Sequence, residues 1–344
     1  MNDSLTIESN ASLLPYNTFG IDVKASRLAI VGADDGNNPI DRYSKPIEKL
    51  RSDGCFESRY FVLGGGSNVV FTRDFAGTVV MMSRGKVAVD RVDGDTVYVS
   101  ADAGMTLDDV VSWCVAKDLY GLENLSAIPG TVGASVVQNV GAYGAEAKDY
   151  VDSVCVYDIQ DNGFKCLSPE ECEFGYRSSM FKRFPGRYLV LNVIYRLSRT
   201  FVPNLGYKAL ENMPHSSAKE LRDAITDLRW SKLPRPAEHG SAGSFFKNPI
   251  VDEATCRRLL KKYPNMPHYD VDDNRVKIPA GWMIDQCGWK GKTMGRAGVH
   301  KNQALVLVNK GGATGKEIVD LCNAIRIDVF NRFGIMINPE VNII

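Results

Sequence analysis

Ile128-Pro129-Gly130-Thr131-Val132-Gly133-Ala134, continued by Gln138-Asn139-Val140-Gly141-Ala142-Tyr143-Gly144, is the stretch on which the reading of this chain turns. It has many small residues and few polar ones, unlike an ordinary surface loop. Glycine lets main-chain N–H groups approach a ligand where a Cβ would clash. A backbone-lined pocket of that kind suits a diphosphate or a flat ring. A tightly packed glycine-rich turn is the plainer explanation of the same residues.

Working outward, Thr106 is placed to cap a helix whose apolar residues Leu107, Val110, Val111 and Val115 share a face, with Gly121 just past its end. Further upstream the chain reads as strand and loop. Tyr60–Leu63 is a short strand running into Gly64-Gly65-Gly66-Ser67-Asn68, and Val79–Met82 and Val97–Val99 are further strands. Downstream, 151–159 and 188–197 have the β-branched and aromatic content of strands. Ser217 and Glu220 form a capping box opening a helix through Leu221, Ile225 and Leu228. Ser231-Lys232-Leu233-Pro234-Arg235-Pro236 is the best domain boundary, because two prolines break helix and sheet alike. Beyond it come a strand over 304–309 and a helix over 314–333. Strands grouped rather than strictly alternating with helices favour an α+β fold.

The 344 residues suffice for two or three domains. The 41 basic and 41 acidic residues balance, so no electrostatic footprint for nucleic acid exists. No apolar run is long enough to span a membrane, and the N-terminus lacks a signal pattern, so a cytoplasmic protein is expected. The eight cysteines are dispersed without a Cys-x-x-Cys, and are expected to stay reduced. Four scattered histidines offer no metal site or Ser-His-Asp triad. His300 is expected to be a surface or satisfied core residue.

Two motifs mislead. Gly64–Asn68 lacks the last glycine of a dinucleotide fingerprint. Gly312–Glu317 superficially looks like a P-loop, but Lys310 replaces its first glycine and Glu317 its magnesium-binding hydroxyl. Thr314 with Glu317 is better explained as a capping box.

Four segments carry candidate chemistry: the two glycine clusters together, Gly175-Tyr176-Arg177-Ser178-Ser179, Gly240-Ser241-Ala242-Gly243-Ser244-Phe245-Phe246-Lys247-Asn248, and Asn338-Pro339-Glu340-Val341. Each also has a plain structural explanation: Arg177 could pair with an acid, Ser244 could cap a turn, and Glu340 could be a solvated tail residue. In order along the chain, however, IPGTVGASVVQNVGAYGAE (128–146), FGYRSSMFK (174–182), SKLPRP (231–236), AGSFFKNP (242–249), AGWMIDQCGWKG (280–291), VHKNQALVLVN (299–309) and NPEV (338–341) together resemble the UDP-N-acetylenolpyruvoylglucosamine reductases. The resemblance runs from Asn17-Thr18-Phe19 to the C-terminus.

That resemblance implies a two-part FAD-binding fold of the vanillyl-alcohol-oxidase (PCMH) type plus a C-terminal α+β substrate-binding domain. Residues 1–80, completed by 334–344, would form one FAD subdomain, 81–230 the other, and 231–333 the substrate domain. FAD would contact Gly64, Gly65, Gly66, Ser67, Asn68, Ile128, Pro129, Gly130, Thr131, Gly133, Ala134, Gln138, Asn139, Gly141, Ala142, Tyr143, Tyr176 and Arg229. It would be noncovalent, since neither histidine nor cysteine lies within 57–110 or 116–147.

The reaction implied is reduction of FAD by NADPH, then hydride transfer to C3 of UDP-N-acetylglucosamine enolpyruvate in peptidoglycan precursor synthesis. Negative charge then develops at C2 and the carboxylate and needs stabilisation. By resemblance Arg177 and Glu340 polarise the carboxylate, which a carboxyl group at 340 can do only if buried and protonated. Ser244 gives the proton to C2, its fixed position substituting for acidity. Tyr207, Lys232, Asn248 and Gln303 would bind substrate, Tyr207 marking the subtype that closes a tyrosine loop over it. A monomer without nucleic-acid or membrane partners is expected. The segment 25–59 is longer than the resemblance leads one to expect and is read as an insertion between strands, with surface-loop composition at Asp34–Pro39, and Asn338 stands where relatives often carry histidine. An oxidase of the same superfamily, reoxidised by oxygen, and a colourless nucleotide-sugar binder remain as rivals.

Overall fold

The computed structural model describes residues 4–235 and 238–344; Pro236 of the expected boundary lies outside them. The chain divides into two compact units. The first comprises Met1–Ala11, Ala25–Gly65 and Phe75–Arg229, and the second Ser12–Lys24, Gly66–Asp74 and Trp230–Ile344.

In the first unit a four-stranded sheet has the order Leu5–Ser12, Lys24–Val31, Phe75–Met82, Tyr60–Val62, with Phe75–Met82 parallel to both neighbours. Parallel strands need a crossover, and the helix Pro39–Ser52 lies on the path that supplies it. Asn38 caps that helix through the Asp41 amide. Tyr43, Ile47 and Leu50 bury themselves beside Ala29, Val31 and Leu191. The segment 25–59 is therefore largely core strand and helix, with a loop over 32–38 and turns over 53–58, rather than surface loop throughout. Pro46 and the charges of Arg42, Lys45 and Lys49 mask the apolar spacing of this helix in the sequence.

A five-stranded antiparallel sheet follows, in the order Gly163–Leu167, Val151–Asp158, Tyr188–Ser198, Thr96–Asp102, Val87–Asp93. Alternation along its strands splits their side chains between two clusters. Val97, Val99, Val193 and Tyr195 pack with Val110, Val111, Val132 and Val136 of the helices Leu107–Val115 and Val132–Gln138. Leu189 and Leu191 join Tyr43 and Ile47 instead. Thr106 caps the first helix as expected, and behind it both Asp118 (φ 54°) and Gly121 (φ 141°) take positive φ. At the opening of the helix Ala218–Lys232, Ser217 accepts from the Glu220 amide while the Glu220 carboxylate turns to Ser216, so the capping box is only half formed.

Cys155 and Cys166 stand opposite each other in the register of two strands and form a disulfide. This overturns the expectation that all eight cysteines stay reduced. Their pairing is a matter of hairpin register, which the spacing of the cysteines does not encode.

The second unit holds an antiparallel sheet in the order Gly240–Ser244, Val306–Asn309, Ala297–Val299, Thr293–Met294. The helix Gly315–Phe333 buries Ile318, Leu321, Cys322, Ile325 and Val329, and opens with the Thr314–Glu317 capping box. Asn342–Ile343 pairs parallel with Val69–Val70.

Candidate functional site

The small-residue loop of the first unit is wired to its surroundings through the main chain. Gly130 O accepts from Leu107 N at 3.0 Å, and Gly133 N donates to Ala103 O at 2.9 Å. Thr131 caps the helix Val132–Gln138 through the Ala134 amide. Gly64 and Gly65 lie against this loop so closely that a Cβ on Gly65 would come 3.0 Å from Gly130 Cα, and one on Gly64 2.8 Å from Ala134 Cβ. Part of the glycine content is thus close packing. Past the helix Asn139 turns left-handed, Gly141–Ala142 pairs with Ala145–Glu146, and Tyr143 occupies the turn at φ 51°.

Arg177 sits on a tight reversal. Gly175 and Ser178 exchange both backbone hydrogen bonds, at 2.9 and 3.0 Å, leaving Tyr176 and Arg177 at the tip. Arg177 has φ 52°, a conformation that favours glycine and that arginine holds only against a cost. Its Nη2 donates to Gly141 O at 2.6 Å. Asn139 Nδ2 donates to Gly175 O at 2.9 Å, and Ser179 Oγ to Val137 O at 2.7 Å. The Asn139 side chain is fully buried and spent on protein, with Oδ1 accepting from Lys148 N. Tyr176 stays exposed, its ring centroid 5.4 Å from the Arg177 guanidinium carbon.

Two buried polar atoms near Tyr143 have no hydrogen-bond partner among the described residues. They are Nε of Arg229 and Oδ1 of Asn124. Asn124 Nδ2 donates to the carbonyls of Tyr143 (2.7 Å) and Asn204 (2.9 Å), which fixes the amide orientation and leaves its oxygen without a donor. Burial pushes the Arg229 guanidinium below its ordinary value, against the pull of Tyr143 and Asp108. Tyr207 meets the Tyr143 ring edge-on with centroids 5.4 Å apart. Burial works to raise the Asp108 carboxyl, but the fork of Arg222, at 2.6 and 3.0 Å, and the Ala127 amide hold it below the usual carboxylate range. An orphaned donor and an orphaned acceptor beside a loop lined by Gly130, Gly141 and Gly144 fit a polar planar cofactor such as FAD, because buried polar atoms are rarely left unpaired.

In the second unit, Gly66 O accepts from Thr18 N at 3.1 Å, and Thr18 Oγ1 donates to Ser241 O at 2.6 Å. A side chain at Gly66 would run into Tyr16 O at 2.0 Å. Asn68, next to Ser67, has its carbonyl taken by Asn342 N and Nδ2, at 3.1 and 3.0 Å. The C-terminal segment is laid against the serine strand as well. Glu340 N donates to Phe245 O at 2.8 Å and Lys247 N to Asn338 O at 2.9 Å. Two segments nearly a hundred residues apart in sequence thus place Ser244 and Glu340 on adjacent backbones. A bulge between Ser241 and Ser244, with Gly243 left-handed at φ 64°, leaves Ser244 exposed. Glu340 is half-buried, not buried as the sequence reading required. Asn248 Oδ1 accepts from Ala280 N at 2.9 Å, capping the helix Ala280–Gln286. Gln303 bonds through its carbonyl to Val306 N, and Lys232 closes the helix Ala218–Lys232.

Of the expected catalytic residues, Arg177 belongs to the first unit and Ser244 and Glu340 to the second. His300 is buried with Nδ1 unpartnered among the described residues, and is therefore not the satisfied core histidine expected. The sequence reading missed Asn124, Asp108, Arg222 and Lys182 as parts of the site's frame. Asn124 reaches Tyr143 and Asn204, Asp108 meets Arg222, and Lys182, five residues from Arg177 in the FGYRSSMFK run, also reaches Gln138.

Residues 56–163 match the model of an FAD binding domain, and 235–344 that of the UDP-N-acetylenolpyruvoylglucosamine reductase C-terminal domain. The chain is 44% identical over 343 residues to the UDP-N-acetylenolpyruvoylglucosamine reductase of Bacteroides fragilis (strain YCH46), covering 98% of this chain and 100% of that one. It is 43% identical over 347 residues to the enzyme of that name from Pseudomonas aeruginosa, with 99% of each covered. The crystal structure of UDP-N-acetylenolpyruvylglucosamine reductase from Thermus caldophilus superposes with a TM-score of 0.66 over 98% of both chains at 23% identity, a likeness of fold. Among the described residues no helix is long and apolar enough to cross a membrane, and no cluster could hold a metal ion.

Proposed function

The chain belongs to the family of UDP-N-acetylenolpyruvoylglucosamine reductases, and from that premise we propose how its own residues perform the family reaction. It is an FAD-containing oxidoreductase that reduces UDP-N-acetylglucosamine enolpyruvate in peptidoglycan precursor synthesis. Held by the glycine clusters and Arg229, FAD would supply hydride transfer from NADPH to C3 of the enolpyruvyl group.

Arg177 engages the substrate carboxylate and offsets the charge that develops there and at C2, as a preorganised cation in a dry site does best. Glu340 stands half-buried beside Ser244, and serves the same carboxylate only as a hydrogen-bond donor, once bound substrate has covered it and it carries a proton. The Ser244 O–H gives its proton to C2, and the exposed hydroxyl regains one from solvent. Lys232 supplies a point charge for the diphosphate and Tyr207 a ring with a hydroxyl for the uridine end. Asn248 and Gln303 complete the substrate contacts. Arg229, Asn124 and the glycine clusters hold the flavin without a covalent bond. This reading adopts 1–80 with 334–344 and 81–230 as the FAD subdomains, 231–333 as the substrate domain, and a monomer working in the cytoplasm.

The observation that carries it is the placement of Glu340 on the backbone beside Ser244, secured by the Glu340 N to Phe245 O bond. The test is turnover in deuterium oxide with NADPH: the product should carry a solvent deuterium at C2. A product with no deuterium at C2 contradicts the assignment.

A further inference from the structure

The strained arginine of this site is held by a lysine that the reaction does not itself require. Lys182 Nζ donates to the carbonyl oxygen of Arg177 at 3.1 Å and to Gln138 Oε1 at 2.6 Å. Gln138 is the last residue of the helix Val132–Gln138, and Lys182 lies in the short helix Met180–Arg183. The end of the longer helix therefore grips the Arg177 reversal at three successive places. Asn139 takes the Gly175 carbonyl, Lys182 bridges Gln138 to the Arg177 carbonyl, and Ser179 reaches the Val137 carbonyl.

The middle grip is the informative one. A residue at φ 52° without glycine's freedom persists only where its surroundings over-determine it. The carbonyl of the strained residue accepts a charge-assisted bond, which is stronger than one between neutral groups. Release would let the peptide after Arg177 rotate toward ordinary backbone and swing the guanidinium away from Gly141 O, its 2.6 Å partner. We propose that Lys182, braced by Gln138, is a positioning residue that keeps Arg177 in its left-handed conformation and so aims the guanidinium at the substrate carboxylate. This rests on the reading of Arg177 given above. Its bonds to Gln138 Oε1 and Arg177 O are made to protein, so it acts on the reaction through Arg177.

The test is a double-mutant cycle on the full chain with FAD bound, measuring kcat and KM with NADPH and UDP-N-acetylglucosamine enolpyruvate. Lys182→Met should lower kcat about 10- to 100-fold, the scale on which a misplaced group about 1 Å out of position acts. Flavin content and melting temperature should stay near native. Lys182→Arg, whose fork can reach both acceptors, should recover most of the rate. In an Arg177→Lys background Lys182→Met should cost little more, because residues acting as one unit are non-additive. Full additivity, or an unchanged kcat in Lys182→Met, overturns the positioning role. If Arg177→Lys alone leaves kcat native, the underlying assignment of Arg177 fails instead. Should Lys182→Met not fold, Lys182→Gln, which keeps a neutral donor but cannot bridge both acceptors, must show the same non-additivity, or the inference falls.

Discussion

Arg177 Nη2 lies 2.6 Å from the carbonyl oxygen of Gly141, so one guanidinium joins the Gly175–Ser178 reversal to the small-residue loop. On the proposed reading Arg177 both braces this loop and meets the substrate, and kinetics should separate the two roles. Arg177→Ala is expected to lower kcat by about 10²–10³-fold, as loss of a preorganised donor does. Reduction of the flavin by NADPH should be nearly unaffected. Stopped-flow measurement of the two half-reactions checks this; equal slowing of both would remove Arg177 from the substrate step.

Ser244 stands exposed after a left-handed glycine, on the backbone bonded to that of Glu340. Ser244→Ala should cost on the order of several kcal/mol in turnover, since positioned acid catalysis contributes 10²–10⁴-fold and orientation adds more. NADPH should still bleach the flavin at the native rate. A variant turning over within about tenfold of native would assign the proton to another donor.

The orphaned atoms beside Tyr143 predict flavin affinity. Arg229→Met should lower the ratio of flavin to protein absorbance after gel filtration, because the cofactor loses the donor that buried Nε offers. Asn124→Leu should destabilise the apoprotein too, by about 1–3 kcal/mol for each buried carbonyl it strands at Tyr143 and Asn204. Native flavin content in Arg229→Met would detach Arg229 from the cofactor.

Away from the site, the fully buried Asp102 accepts the fork of Arg42 at 2.8 and 2.7 Å, Asn192 Nδ2 at 3.1 Å and Lys86 N at 2.9 Å. Asp102→Ala leaves Arg42 charged and unpaired inside, a change that costs about 3–5 kcal/mol. Urea unfolding should show a lower midpoint at unchanged slope. A midpoint within experimental error of native would show that water reaches the pair.

Glu317 gives the pH dependence a sign. Arg296, then the amide and hydroxyl of Thr314, hold its carboxyl down to about 2. The folded value lies below the unfolded one of about 4.3, so its stabilisation is complete above roughly pH 5 and is lost as pH falls through 4 toward 2. Glu317→Gln should flatten the acid limb of a stability profile followed by circular dichroism. Parallel loss in both proteins below pH 5 would contradict this.

The close-packed glycine clusters and the Thr314 cap are legible because each sits in a short run of unusual composition, whereas Arg177, Ser244 and Glu340 stand out only through the resemblance of whole motifs. What it hid depends on register and distance. Cys155 meets Cys166 only once a hairpin fixes which residues oppose. The helix Pro39–Ser52 hides behind Pro46 and its charged face. Lys182, Asn124 and Arg222 look like ordinary polar residues until folding brings Arg177, Tyr143 and Asp108 within hydrogen-bond range. Strain at Arg177 leaves no trace in composition at all, since arginine is not a residue that announces a left-handed turn.

The central claim is that one flavin serves two partners in turn, NADPH and the enolpyruvyl nucleotide sugar. An anaerobic absorption spectrum of the purified yellow protein tests it. NADPH should bleach the band near 450 nm, and stoichiometric UDP-N-acetylglucosamine enolpyruvate added without oxygen should restore it. A band that returns only on admitting oxygen, or a protein without flavin colour, contradicts the account.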